Sequence, residues 1–278
     1  MFCPETNLDS EINFEKEIIT LLRNNVIDLP EDNIKAIYES WRFNFDGTPN
    51  QVVYNADKIL HGQKIPTNAI LRGIDFPSWF GKINSERTNK KIMIVGIDPL
   101  RNKKNFEHAK ESKDVIIGTP YALHESKMRW GRTKQYWSFI EELSKKHFVY
   151  LTDIYKVFFL CDGMRSYNYF KKEKKIEEHK LLEEEFKIIK PDIIITLGGE
   201  SYFQLMKKRI PNLCNKIDPH IYQEASLQIN VIPMVHLSGS TREKNKLDFL
   251  KNNLEEGNDC IINKNYGEGY FKIIEQYI

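Results

Sequence analysis

Four short apolar runs mark the part of the chain that follows residue 89. They are KKIMIVGIDP, HFVYLTDIY, PDIIITLGGE and QINVIPMVHLS, which begin at Lys90, His147, Pro191 and Gln228. Each run is rich in Ile and Val and is apolar at nearly every position. This pattern is typical of strands that are buried on both faces of a sheet.

Stretches with helical periodicity separate these runs. TKQYWSFIEELSKKH lies between the first and second runs, and KKIEEHKLLEEEFKIIK lies between the second and third. SYFQLMKKR follows the third run, and REKNKLDFLKNNLEE follows the fourth. Because strands that alternate with helices form parallel sheets with right-handed crossovers, the pattern predicts a three-layer α/β/α sandwich around a central four-stranded parallel sheet.

The first 89 residues have a different pattern. DSEINFEKEIITLLRNN predicts a helix capped at Asp9 or Ser10, and LPEDNIKAIYESWRF predicts a second helix after Pro30. The pattern between Gln51 and Asn89 is mixed and weak. We therefore expect residues 1–89 to form an N-terminal, mainly helical lobe packed on a catalytic domain of residues 90–278.

Composition narrows the class of protein. A chain of 278 residues with 41% hydrophobic and 29% charged residues can bury a sizeable core, which excludes wholesale disorder. The net charge of +2 does not by itself indicate nucleic acid. The basic stretch Lys127–Lys134 is free of acids and includes Met128 and Trp130, and a second basic stretch is Arg101–Lys104. Either stretch is consistent with a solvated surface or with a contact to DNA.

The cysteines and the hydropathy point to the cell interior. Cys3, Cys161, Cys214 and Cys260 are not paired at metal-ligand spacing, which favours a reduced, cytoplasmic protein. The N-terminus has no apolar signal core, and no apolar run reaches the roughly 18 residues that a membrane span requires. We expect a monomer without membrane contact.

Each apolar run ends in residues suited to binding. The ends are Gly96-Ile97-Asp98-Pro99, Thr152-Asp153, Gly198-Gly199-Glu200-Ser201 and His236-Leu237-Ser238. A single histidine at a strand end is usually structural. In parallel sheets, however, ligands bind beyond the carboxyl ends of the strands, and all four ends would meet at one edge. The sequence therefore predicts one site there.

The motifs at these ends resemble those of the uracil-DNA glycosylase superfamily. GIDP after a strand and HLSGSTR after a later strand are similar to its two signature motifs. IGTPYALHE resembles the segment that supplies an aromatic ring to stack on an extruded base, and VYLTDIYKV resembles the strand whose end reads the base edge. The resemblance covers about residues 90–255.

The resemblance implies a chemistry for these residues. The target nucleotide is flipped out of the duplex into a pocket. Asp98 would stabilise the sugar cation and orient a water molecule, and His236 would donate a neutral imidazole N–H to the pyrimidine O2. The remaining base-binding residues would be Gly96, Ile97, Leu100, Tyr121 as the stacking ring and Asp153. No metal or diffusible cofactor is implied.

The resemblance also implies a DNA-binding surface. Backbone N–H groups at a helix N-terminus can hold a phosphate, and the loop of residues 237–241 would press against the DNA. The residues predicted to contact DNA are Gly198, Gly199, Ser201, Ser238, Ser240, Arg242 and Arg132.

The sequence departs from the uracil-specific members in four places. Leu100 stands where the best-known branch carries an aromatic residue that blocks the pyrimidine C5 position. The stretch between Asp98 and Tyr121 is longer and basic. Ser240 replaces a bulky wedge, which leaves open how the base is flipped. Asp153 replaces the usual base-reading asparagine.

Asp153 favours cytosine over uracil. An ionised aspartate has only acceptors, so it can accept from the cytosine N4 amino group but opposes the uracil O4. The leading hypothesis is a monofunctional DNA glycosylase that excises a 5-modified cytosine from bacteriophage DNA, in resemblance to the antiphage branch of the superfamily. The alternatives are a uracil-DNA glycosylase of base-excision repair, a catalytically silent DNA-binding member and a nucleoside hydrolase.

Overall fold

The fold is seen in a computed structural model of the chain. The structure describes residues 14–27, 29–43, 52–55, 71–81, 89–97, 114–161, 164–165, 178–224 and 227–278. The predicted helix cap at Asp9 or Ser10 and most of the Arg101–Gly118 segment lie outside these ranges.

The elements are numbered along the chain. The helices are α1 (Phe14–Asn25), α2 (Glu31–Phe43), α3 (Ser126–Trp130), α4 (Lys134–Ser144), α5 (Glu178–Ile189), α6 (Gly199–Met206), α7 (Glu243–Asn253), α8 (Asp259–Ile262) and α9 (Tyr266–Ile274). The strands are β1 (Val52–Asn55), β2 (Leu71–Asp75), β3 (Ser78–Phe80), β4 (Lys91–Gly96), β5 (Asp114–Gly118), β6 (Phe148–Asp153), β7 (Val157–Cys161), β8 (Met164–Arg165), β9 (Ile193–Leu197), β10 (His220–Glu224) and β11 (Leu227–Met234).

A six-stranded mixed sheet lies at the centre of the fold, in the order β10-β11-β9-β4-β6-β3. The neighbours from β11 to β6 are parallel, whereas β10 and β3 are antiparallel edge strands. The prediction of a four-stranded parallel sheet was therefore wrong in strand number and type. The four predicted runs form the parallel centre of this sheet. Its edge strands are β3, which has three residues, and β10, in which exposed Ile221 alternates with buried Tyr222.

Side chains alternate between the two faces of this sheet. On β4, Met93 and Val95 join one apolar cluster, whereas Ile92 and Ile94 join another. Residues of α1, α2, α5 and α6 complete the first cluster, and residues of α4, α7 and α9 complete the second. Helices therefore cover both faces, which gives the α/β fold three layers.

A second, five-stranded sheet has the order β1-β5-β2-β7-β8. Only the β2–β5 pair is parallel among its described pairings. Backbone bonds extend two of its pairings, since the Asp75 N–H donates to Lys156 O at 3.1 Å and the Phe76 N–H donates to Gly118 O at 2.8 Å. Buried residues of this sheet such as Ile74, Ile117 and Val157 belong to the first apolar cluster. Because β5 ends at Gly118, this sheet fixes the start of the segment that carries Tyr121.

The described part of residues 1–89 contains two helices followed by three strands. The helices pack into the first apolar cluster through buried residues such as Phe14, Ile18 and Ile34. The strand β3 pairs with β6 and so belongs to the central sheet. The domain boundary at residue 89 stays a prediction.

Every helix in the described ranges is too short or too polar to cross a membrane.

Candidate active site at the carboxyl edge of the sheet

The four parallel strands end at one edge, as their register requires. Gly96 at the end of β4 lies opposite Asp153 at the end of β6. Beyond β9, the Gly198 N–H donates to Met234 O at 2.8 Å, which brings the third strand end beside the strand that leads to His236. The structure thus brings together Gly96, Asp153, Gly198 and His236.

Gly96 has no room for a side chain. A Cβ at this position would lie 2.1 Å from Asp153 Oδ1 and 3.0 Å from the Tyr121 hydroxyl oxygen. The Asp153 side chain therefore reaches across the strand end of β4, and Tyr121 points its hydroxyl towards the same place. Asp153 is only 3% exposed, so it is neither a surface residue nor a solvent-exposed helix cap.

Tyr121 lies in a strained turn. The 3-10 turn Pro120–Ala122 places Tyr121 at φ 59° and ψ 13°, a left-handed conformation that costs a non-glycine residue about 1–3 kcal/mol. Bonds between Thr119 and His124 hold the turn, since the His124 N–H donates to Thr119 Oγ1 at 3.2 Å and the Thr119 N–H donates to His124 Nδ1 at 3.3 Å. The strain is thus maintained by the surrounding structure.

Tyr136 on α4 also belongs to the site, and it was not predicted from the sequence. Its ring stacks on Tyr121 with centroids 4.0 Å apart and planes 10° apart. Its hydroxyl bonds to His236 Nδ1. Burial raises the pKa of Tyr136 well above its usual value, and the charge of Asp153 adds to this effect, so the hydroxyl keeps its proton. One side chain therefore supports both the predicted stacking ring and the predicted catalytic histidine.

His236 is held as a neutral ring with a defined proton position. Burial is the main cause that lowers its pKa to about 4, and the Lys246 charge adds to it. The Ser238 backbone N–H donates to Nδ1 at 3.2 Å, and the protonated Tyr136 hydroxyl bonds to the same nitrogen. Because Nδ1 accepts these bonds, the single ring proton resides on Nε2, which becomes the donor.

Gly198 packs against this histidine. It has a φ of +97°, which strongly favours glycine, and a Cβ would lie 3.4 Å from His236 Cδ2. Gly199 is exposed and begins α6. The buried Ser201 hydroxyl lies within hydrogen-bond distance of Leu197 O and Gly198 O, at 2.8 and 2.9 Å, so this side chain binds the backbone at the start of α6.

The loop after His236 is internally bonded. Ser238 Oγ lies 2.8 Å from Ser240 Oγ and 3.2 Å from Thr241 Oγ1. Lys246 donates to Ser238 O at 3.3 Å. Ser240 and Arg242 are exposed. The predicted DNA contacts of this loop are therefore placed on a surface that directly continues from the histidine.

The other predicted residues lie in different settings. Arg132 is exposed on the turn between α3 and α4. Among the described residues, no contact joins it to His236 or Asp153. Ile97 is half-buried, and its carbonyl accepts from the Tyr155 N–H at 3.0 Å. Asp98 and Leu100 lie outside the described residues.

A buried ion pair supports the end of β6. Lys156 donates to Glu185 Oε2 at 2.7 Å and to the backbone oxygen of Asp153 at 2.6 Å, and both side chains are at most 1% exposed. Tyr150 and Thr152 also donate to Glu185, at 2.9 and 3.1 Å. This network therefore holds the backbone of Asp153 in place.

Within the part of the chain that the structure describes, no group of three or more His, Cys, Asp or Glu side chains is arranged to hold a metal ion.

The fold and this edge define an α/β protein with a polar and aromatic site at the carboxyl ends of parallel strands. Residues 84–256 match the family model of the uracil DNA glycosylase superfamily, and the chain belongs to this superfamily. Members of the superfamily are DNA N-glycosylases, which act on DNA by hydrolysing the bond between base and sugar. A comparison with curated proteins gave no match.

Proposed function

We propose that the protein is a monofunctional DNA glycosylase that excises a 5-modified cytosine, such as hydroxymethylcytosine or its glucosylated form. The observation that carries this proposal is the buried Asp153 at the end of β6, directed across Gly96 and close to Tyr121. A base stacked on Tyr121 would present its polar edge to this carboxyl group.

The chemistry of Asp153 selects among pyrimidines. A carboxylate accepts from the N4 amino group of cytosine, and a shared proton would bridge to N3. Facing uracil, the carboxylate would oppose O4, and a buried mismatched polar pair costs about 1–3 kcal/mol. An asparagine at this position would instead accept from uracil N3–H and donate to O4. The site therefore favours cytosine.

His236 would stabilise the departing base. As the glycosidic bond breaks, negative charge develops on the pyrimidine, including O2. A neutral imidazole with its proton on Nε2 can donate to O2 without first losing or gaining a proton. Removing such a donor typically costs about 10²–10³ in rate. The Ser238 N–H and the Tyr136 hydroxyl support this state of the ring.

Tyr136 would act as a positioning residue. It covers one face of Tyr121, so a flipped base can stack only on the opposite face. Stacking on such a ring is worth about 1–3 kcal/mol per base. Because the same side chain bonds His236, it would fix the distance between the stacked base and the donor.

Residues outside the described ranges complete the proposal by resemblance. Asp98 would stabilise the sugar cation and orient the attacking water, which leaves an abasic site without strand cleavage. Leu100, in place of an aromatic residue, would leave space at the C5 position. An enzyme that removed plain cytosine would damage the host genome, so a C5 substituent is required. Bacteriophage DNA carries such bases, and we place the enzyme in antiviral defence.

A panel of four DNA substrates tests this function. Duplexes carrying uracil, cytosine, hydroxymethylcytosine or glucosylated hydroxymethylcytosine are incubated with the protein. Strand breaks are then counted before and after treatment with alkali, which cleaves the DNA at abasic sites. The variants Asp98→Asn and His236→Ala serve as inactive controls, each expected to lower base release by at least about two orders of magnitude.

Each outcome of the panel has a clear meaning. Abasic sites from the modified cytosines alone support the proposal. Efficient release of uracil with none from modified cytosine would assign the protein to uracil repair. DNA binding without release of any base would indicate a silent binding member, and hydrolysis of free nucleosides without action on DNA would indicate a nucleoside hydrolase.

A further inference from the structure

One tryptophan of the four in the sequence is exposed. Trp41 and Trp79 are 6% exposed and Trp137 is 1% exposed, whereas Trp130 at the end of α3 is 62% exposed. Single exposed apolar residues are common on protein surfaces, so exposure alone says little. The setting of this ring says more.

The surroundings of Trp130 along the chain are cationic. Apart from Gly131, the other exposed residues of the segment 126–134 are Lys127, Arg132 and Lys134. The preceding acid, Glu125, is 8% exposed and lies with its carboxylate 3.6 Å from His124 Nε2. We call Lys127, Trp130, Arg132 and Lys134 the Trp130 surface. It offers an aromatic face among positive charges.

The support beneath this surface is well fixed. Arg129, the neighbour of Trp130, is fully buried, donates to Leu123 O at 2.7 Å and lies 5.4 Å above the Trp137 ring. Thr133 donates to Met128 O at 2.8 Å across the same turn. Because both ends of α3 are anchored, the Trp130 ring is presented outward from a rigid base.

The Trp130 surface also adjoins the site along the chain. The segment that carries it joins the turn of Tyr121 to the helix of Tyr136, and those two rings stack on one another beside His236. Leu123, which follows the Tyr121 turn, is the residue that anchors Arg129. The Tyr121 turn and the Trp130 surface are thus parts of one continuous segment, which the bond between Arg129 and Leu123 ties together.

We infer that Trp130 stacks on an unpaired nucleobase of the bound DNA while Lys127, Arg132 and Lys134 contact its phosphates. Aromatic rings interspersed with positive charges are how proteins hold single-stranded DNA without reading its sequence. In a duplex the base pairs already stack on one another, so the ring requires a base that has lost its partner, such as the one left behind when the target flips. This inference rests on the proposed action on DNA.

Tryptophan fluorescence tests the contact directly. The full chain is titrated with an unmodified single-stranded oligonucleotide and with the matching intact duplex, while anisotropy of labelled DNA reports binding separately. Because the other three tryptophans are buried, the single strand should quench the exposed ring, and the intact duplex should quench it much less. The quenching should disappear in Trp130→Phe, which keeps an aromatic face and still binds.

Affinity provides the second readout. Trp130→Ala should weaken binding of the single strand by about 5- to 150-fold, and the ratio to wild type should hold as salt is raised, because stacking releases no counterions. Ile262→Ala, which removes a side chain that is 65% exposed, is the matched control and should bind as wild type does.

The inference is overturned if DNA binds with no change in fluorescence, or if Trp130→Ala binds the single strand as tightly as wild type does. The four-substrate panel measures base release and does not depend on the Trp130 contact. Failure of this inference can therefore be distinguished from failure of the proposed function.

Discussion

At His236, two donors to one nitrogen decide what the ring can offer a substrate. The Ser238 N–H and the Tyr136 hydroxyl both point at Nδ1, so the ring proton must be on Nε2. Protonating the ring would turn Nδ1 into a donor and break the contact with the Ser238 N–H, whereas the Tyr136 hydroxyl can also accept. Burial and the charge of Lys246 lower the pKa of the ring, so the histidine stays neutral at ordinary pH.

The first prediction is that His236 does not titrate near neutral pH. Its pKa is about 4 in the folded protein against 6.5 for an ordinary histidine, so NMR should show its ring signal constant from about pH 8 to 5. The unfolded chain binds the proton first as pH falls, so folding loses up to about 3 kcal/mol between pH 6.5 and 4. His236→Gln identifies the signal. A midpoint near 6.5 would contradict the assignment.

The second prediction concerns Tyr136. Tyr136→Phe keeps the ring that supports Tyr121 but removes the donor to His236. We expect base release under saturation to fall about 5- to 10-fold, the loss of one hydrogen bond, while DNA affinity changes little. The titration midpoint of His236 should also move, because the hydroxyl is a direct partner of Nδ1.

A matched control separates positioning from simple destabilisation. Tyr38→Phe removes another buried hydroxyl, which donates to Pro77 O at 2.9 Å away from the site. It should leave base release and the His236 titration unchanged. An equal effect of the two variants would show that Tyr136 has no special role.

At the scale of elements, the end of β6 depends on a buried charge pair. The third prediction is that Lys156→Met destabilises the protein by about 3–5 kcal/mol, because Glu185 would remain buried without its cation. The double variant Lys156→Met with Glu185→Gln should recover part of that loss, since no lone charge remains and an amide oxygen can still accept from Tyr150 and Thr152. Urea unfolding of the three proteins provides the comparison. A double variant that is less stable than the single would contradict this account of the pair.

Elements buried on both faces could be predicted from the sequence, and others could not. The four parallel strands were predicted because their Ile- and Val-rich runs have no polar face. The strand β7 follows β6 after only three residues, so the two together resemble one apolar stretch. The edge strand β10 has the polar alternation of a surface segment. Such strands are defined by their partners in the sheet rather than by their own composition.

At the scale of the whole molecule, the exposed cations should govern DNA affinity. The fourth prediction is that the logarithm of the association constant falls linearly with the logarithm of salt concentration. Arg242→Gln should reduce the slope by about 1, as loss of one phosphate contact requires. Lys251→Gln, an exposed charge on α7 outside the predicted contact set, is the control. Equal slopes for wild type and Arg242→Gln would remove Arg242 from the contact set.

The site itself was only partly visible in the sequence. Strand ends converge at one edge in any parallel sheet, so the proximity of Gly96, Asp153, Gly198 and His236 followed from topology. Tyr136 did not, because it lies on the apolar face of α4, where a tyrosine is indistinguishable from core, 100 positions from its partner. Contacts of this kind depend on the three-dimensional packing of helices against the sheet.

The central claim is that Asp153 selects a cytosine-type base, and exchanging this one side chain tests it most directly. Abasic-site yields from hydroxymethylcytosine DNA and from uracil DNA are compared for wild type and Asp153→Asn. Wild type should release the modified cytosine and little uracil. The variant should lose the first activity and gain the second, because its amide matches uracil N3–H and O4. Wild-type release of uracil alone, or a ratio that the substitution leaves unchanged, would contradict the claim.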